Sequence, residues 1–285
     1  MDVNRVIAGT DGSDHSLRAV EWAAREAALH GAPLRIVSVP ALPPRMSWQQ
    51  PEPGRPDTVA DVVRESYEQA LAAGTSRAAE AAPGLAIDTA LLPGSPDAAL
   101  TAAAGAAAIL VIGSRGNGGF SALILGSVSR YVATEAPGPV VVAREDTMAV
   151  HHEVVVGIGG DDRPAAVGFA FAEARLRQAR LRAVHAWHWS LPHLRPAADT
   201  RKASAEAAGW LASLLAPWRQ KYPGVEVIED VVHAPPGRAL AGASARADLV
   251  VLGRNGTAGD GRPRARAVTH ALLHHAHGPV AVVPG

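Results

Sequence analysis

The sequence predicts an α/β fold built twice over: two tandem, doubly wound, five-stranded parallel sheets. Three observations predict it. The 285 residues are long for one domain and comfortable for two of about 140 each. Four apolar runs recur in the same order in both halves, at an offset that drifts only from 148 to 140. Within each half these runs alternate with helix-patterned segments, which implies parallel strands and right-handed crossovers.

The repeated runs are the strands. Val6-Ile7-Ala8-Gly9 matches Val154-Val155-Val156-Gly157, and Leu34-Arg35-Ile36-Val37 matches Leu181-Arg182-Ala183-Val184. Ile109-Leu110-Val111-Ile112-Gly113 matches Leu249-Val250-Val251-Leu252-Gly253, and Gly138-Pro139-Val140-Val141-Val142 matches Gly278-Pro279-Val280-Ala281-Val282. In the first half strands are expected near 3–8, 34–39, 86–92, 108–112 and 139–143. They are short and β-branched with little polar alternation, as strands covered on both faces should be. Residues 14–30 set Leu17, Val20, Trp22, Ala24 and Ala28 among charges, with Gly31 as a stop, and read as a helix. Ser13 or Asp14 would cap it. Residues 40–56 are proline-rich and read as a long loop, 127–136 as a helix, and 144–152 as the linker. The two domains are therefore expected over 1–145 and 152–285.

Composition narrows the function. Formal net charge is zero, which gives no footprint for nucleic acid or an anionic membrane. There is no cysteine, so disulfides, thiolate metal sites and cysteine nucleophiles are all excluded. The N-terminus enters an apolar strand without a signal-peptide layout, and no apolar run is long enough to span a bilayer. A cytoplasmic protein is expected.

One glycine pattern carries chemistry. Gly113-Ser114-Arg115-Gly116 is followed by nine residues and then Gly126-Ser127. The first glycines follow the fourth strand, where ligands bind in a doubly wound sheet. Glycine there lets amide N–H groups approach an anion with no Cβ in the way. Gly126 and Ser127 open the next helix, whose first N–H groups and dipole also favour an anion. The pattern is neither a Walker A loop nor the Rossmann GxGxxG. Asp11, in Gly9-Thr10-Asp11-Gly12-Ser13, ends the first strand at the same crevice. Its carboxylate would repel phosphate unless it meets a ribose hydroxyl or a divalent cation. As pure structure, Asp11 and Ser127 are also plausible helix caps.

These residues, Val6 to Ser13 and the glycine-serine pattern, make the chain resemble the universal stress protein family in its tandem two-domain form. The resemblance covers nearly the whole chain. It implies an adenine nucleotide alpha hydrolase-like fold with strand order 3-2-1-4-5. In the ATP-binding branch it implies ATP, often with Mg²⁺ or Mn²⁺. By resemblance, Asp11 holds the ribose, Val39 lines the adenine pocket and Gly113 approaches the ribose. Gly116, Gly126, Ser127 and Val128 hold the phosphates. The family order places the fifth strand of each half at a sheet edge, with the two edges pairing antiparallel, and a homodimer is a further expected partner.

The second half departs from the pattern. Gly159 stands at the position of Asp11, with Asp161 and Asp162 displaced by two and three. Nine residues after Gly256 come Arg266-Ala267 instead of glycine-serine, in a loop that Arg262, Arg264 and Arg266 make basic. Arg266 would either fill the phosphate path or donate to phosphate itself. His185, Trp187, His188 and Trp189 end the second strand and would fill the adenine position by packing. His270 and His274 share a helix face as zinc ligands can, but without an identifiable acidic or third partner a solvated face is favoured. No GxSxG or other catalytic constellation joins serine, histidine and aspartate.

The expected function is an ATP-binding stress-response regulator, with nucleotide in the first half and a degenerate second half. The alternatives are a slow ATPase or adenylate-transferring enzyme on the same fold, and a nucleotide-free interaction module.

Overall fold

A computed structural model describes residues 3–40, 59–105, 108–116, 125–144, 150–159, 164–188, 197–254 and 264–285. The chain divides into two compact units, residues 2–144 and 145–285. Among the described residues no helix is long and apolar enough to cross a membrane.

In the first unit β1 (Arg5–Gly9), α1 (Asp14–His30), β2 (Leu34–Ser38), α2 (Val59–Ala81) and β3 (Ile87–Leu91) are followed by α3 (Pro96–Ala103), β4 (Ala108–Gly113), α4 (Ser127–Glu135) and β5 (Val140–Ala143). The strands lie in the order β3-β2-β1-β4-β5, and every pairing among them is parallel. Every residue of β4 and β5 is buried, which explains their unbroken apolar sequence. Leu34, Ile36, Ile109 and Leu110 are wholly excluded from solvent.

The start and stop of α1 follow from local chemistry. Ser13 has extended backbone angles and its side chain accepts from the Ser16 N–H, so Ser13 is the cap of the expected pair. Gly31 ends the helix in the left-handed region, at φ 62°, with its N–H bonded to the carbonyls of Ala27 and Ala28. Between these ends Ala19, Ala23, Ala24 and Ala27 are buried, and their small side chains let the helix lie close on the sheet. The proline-rich segment expected over 40–56 lies, after Pro40, outside the described residues.

The second unit repeats the plan with β6 (Glu153–Gly157), α5 (Pro164–Leu176), β7 (Arg180–Trp187), α6 (Ala197–Lys221) and β8 (Val227–His233), then α7 (Pro236–Ala243), β9 (Leu249–Arg254), α8 (Arg264–His275) and β10 (Val280–Pro284). Its strands run β8-β7-β6-β9-β10, again all parallel. The core centres on Phe171, Leu181, Leu211, Leu215, Leu249, Leu272 and Leu273. Phe171, Trp218 and Tyr222 form a three-ring cluster, with Phe171 6.1 Å from Trp218 and 5.6 Å from Tyr222.

The repeat extends to backbone packing. A Cβ on Gly138 would lie 2.5 Å from the Gly105 carbonyl oxygen, and one on Gly278 would lie 3.0 Å from that of Ala247. Each glycine lets the chain approach this backbone before its last strand, and proline follows in both halves.

Candidate functional site

The crevice of the first unit opens where β1 has β2 on one side and β4 on the other. That reversal is where an open α/β sheet separates its loops and leaves room for a ligand.

The β1–α1 turn is a hydrogen-bonded frame for one carboxylate. Thr10 N–H donates to Val37 O at 2.9 Å, and Ser38 Oγ donates to Thr10 O at 2.5 Å, so the turn is tied to the end of β2. Thr10 Oγ1 and Ser16 Oγ lie 3.0 Å apart. Gly12 turns the chain at φ 81°, a value a side chain would strain. Asp11 Oδ1 then accepts from Ser13 N–H at 3.1 Å and from Ser13 Oγ at 2.6 Å. Its second oxygen, Oδ2, lies over Gly116, where an added Cβ would collide with it. Two residues 105 positions apart in sequence are thus brought into direct proximity.

The β4 end is fixed from two sides. A Cβ on Gly113 would sit 2.9 Å from the His15 carbonyl oxygen, so this glycine is needed by the packing of β4 on α1. Ser129 Oγ, buried, donates to Gly113 O at 2.8 Å and ties the first turn of α4 to the strand. Gly126 N–H donates to Ser114 O at 3.0 Å.

Gly126 is a different kind of glycine. It caps α4 at φ −59° and ψ 148°, angles open to any residue, and no side chain caps the helix. Among the described residues a Cβ there would meet only ordinary contacts, at 3.6 Å from Ser129 Oγ, 3.7 Å from Ser114 O and 3.8 Å from Arg115 Cα. Ser127 is exposed and Val128 half-buried in the first turn that follows. Val39 is buried just beyond β2. The frame therefore joins Asp11 to Gly116, and Gly113 to α4. Ser38, Ser114 and Ser129, which build it, were not legible as site residues. Ser129 had only a weak signal, its place two residues after Ser127.

The second unit keeps the frame and alters the contents. Subtracting the local offset of 147 places His185 at the position of Ser38. His185 Nδ1 lies 2.9 Å from Ile158 O, the carbonyl equivalent to Thr10 O, so the same tie is made with an imidazole. A carbonyl only accepts, so Nδ1 carries the proton in this tautomer. The His185 ring lies 4.9 Å from Trp210, and Trp187 lies 4.5 Å from His233, so the expected packing role holds for these two strand residues. Trp189 lies outside the described residues, as do Asp161, Asp162 and Arg262. Gly159, in the place of Asp11, is exposed.

One expectation is corrected here. Arg264 and Arg266 belong to the first turn of α8, not to a loop. Subtracting the offset of 140 makes Ala267 the equivalent of Ser127, so α8 starts three residues earlier than α4. Arg264-Ala265-Arg266-Ala267 are all strong helix formers, whereas Leu125-Gly126 is a poor start.

A sequence profile of the universal stress protein family matches residues 3–144 and again residues 151–284. A universal stress protein of Mycolicibacterium smegmatis is 34% identical over 98% of this chain and 96% of its own length. One from Mycobacterium tuberculosis is 34% identical over 97% and 96%. Among solved structures, a universal stress protein from Archaeoglobus fulgidus superposes with a TM-score of 0.70 at 18% identity, covering 100% of this chain and 99% of its own.

Proposed function

The chain belongs to the universal stress protein family, and on that premise we propose that it is a nucleotide-dependent regulator of the stress response whose first unit holds one ATP. The observation that carries this reading is Gly126. Among the described residues neither its backbone angles nor its neighbours require glycine. It stands at an uncapped helix start, beside a frame that presents a fixed carboxylate. A position without an internal reason to lack a side chain, next to free helix N–H groups, has a reason if phosphate lies against it.

In this reading the Asp11 carboxylate, held by Ser13, accepts from a ribose hydroxyl. Val39 packs on adenine and Gly113 passes the ribose. Gly116, Gly126, Ser127 and Val128 face the phosphates, with Ser127 adding a hydroxyl donor. A carboxylate beside phosphates suits a divalent cation, and Mg²⁺ or Mn²⁺ bound with the triphosphate would neutralise its charge. The second unit lacks the aspartate and the glycine-serine pair and is read as a structural copy.

Calorimetry with Mg-ATP tests this on the full chain. A stoichiometry near one, and adenine nucleotide released on denaturing the purified protein, is the expected result. Two equivalent sites, or a clear preference for NAD or FMN, overturns it. Turnover of the bound ATP would move the reading to a slow ATPase. Absence of any nucleotide binding would leave an interaction module.

A further inference from the structure

The last helix of the second unit carries a feature that the nucleotide reading does not use. α8 spans Arg264–His275, and the rings of His270 and His274 lie 4.2 Å apart, centroid to centroid. Leu272 and Leu273 are buried on the core side of the helix, while His270 is exposed and His274 half-buried on the other. Residues four apart stand on neighbouring turns of one face, the spacing at which two helix histidines can ligate one ion.

We propose that His270 and His274 form a two-imidazole site for a borderline divalent transition ion of the copper, nickel or zinc class, with water completing its coordination. Imidazole is the side chain best suited to these ions, and among them Cu²⁺ binds a given nitrogen site most strongly. The position adds to this. His274 lies in the last turn of α8, where the negative end of the helix dipole favours a cation. Both side chains project away from the buried leucines.

The site is peculiar to the second half. Subtracting the offset of 140, the equivalent positions in α4 are Arg130 and Thr134. Thr134 Oγ1 donates there to the Arg130 and Tyr131 carbonyls, at 3.1 and 3.0 Å. Arginine offers no lone pair to a metal, so the first half has no counterpart. The inference is independent of ATP binding, which concerns the other unit.

The test is a titration of the full chain with CuCl₂, read by calorimetry and by electron paramagnetic resonance at sub-stoichiometric ion. The expected result is a strongest site of one ion per chain with two-nitrogen hyperfine structure. His270→Ala and His274→Ala should each weaken it by roughly tenfold or more, because the second bond of a chelate forms at high effective concentration. His151→Ala/His152→Ala, on exposed residues before β6, should leave it unchanged. All variants should keep the circular dichroism of the parent. If the strongest site keeps its affinity and spectrum in the His270→Ala/His274→Ala double variant, or if only single-nitrogen binding is seen, the proposal is wrong.

Discussion

Gly126→Arg places in the first unit the residue that the second unit already carries at the equivalent position, Arg266. The structure separates its effect on folding from its effect on binding. Among the described residues an added Cβ meets nothing closer than 3.6 Å, and φ −59°, ψ 148° suit any residue. Replacing a glycine N-cap by a poor capping residue costs up to about 1 kcal/mol. Restricting the unfolded chain returns about 0.4–1 kcal/mol. The net change in stability should stay within about 1 kcal/mol, a shift of the melting temperature of about 4 °C or less. Binding should respond far more. A side chain rooted at the helix start keeps phosphate from the N–H groups there. Loss of two charge-assisted hydrogen bonds, at about 1.5–3 kcal/mol each, weakens binding roughly a hundred- to ten-thousand-fold. Calorimetry with Mg-ATP measures the affinity, and thermal unfolding without ligand measures the fold. Gly126→Val removes the guanidinium and keeps the bulk, so it shows whether charge compensates. Unchanged ATP affinity in both variants, at an unchanged melting temperature, would refute the placement of the phosphates. A collapse of the ligand-free melting temperature would refute the claim that the fold does not need this glycine.

Gly113→Ala should behave in the opposite way, because its Cβ meets backbone at 2.9–3.2 Å, including the His15 carbonyl. Strain of that kind costs about 1–3 kcal/mol, so thermal unfolding without ligand should show the loss directly. Asp11→Ala removes the acceptor assigned to the ribose, and a loss of one or two hydrogen bonds predicts a fall in ATP affinity of about five- to 150-fold in the same calorimetric assay.

The strands were legible because a parallel sheet covered on both faces leaves almost no choice of residue. The run Ile109 to Ile112 is buried without exception, and its sequence says so. The helix ends were legible where a single residue carries the signal, as Ser13 and Gly31 do for α1. Arg264 and Arg266 were read as loop because by spacing they align with the segment up to Gly126 in the first half. The helix-forming Arg264-Ala265-Arg266, following Pro263, carried the better signal. The supporting serines were not legible for another reason. Ser38 acts through the carbonyl of Thr10, a partner set by the parallel register of β1 with β2, and Ser129 through that of Gly113, a partner set by where α4 meets the end of β4. Asp11 was legible as a residue at the crevice, but its seat over Gly116 depends on the path of two loops that no local pattern encodes.

The contrast between the two kinds of glycine bears on how a duplicated domain ages. Gly138 and Gly278 touch backbone in both copies and have survived in both, since any replacement is penalised whether or not a ligand is present. Gly126 touches nothing among the described residues that would penalise a replacement in folding, and its counterpart is Arg266. On the proposed reading, a second copy that no longer holds nucleotide leaves that position free to drift while the sheet around it is not. The two halves then act as a natural mutational scan of each other. Close-packed positions that they share report what the architecture demands, and on this reading the divergence at Gly126 and Arg266 reports the demand of an occupant.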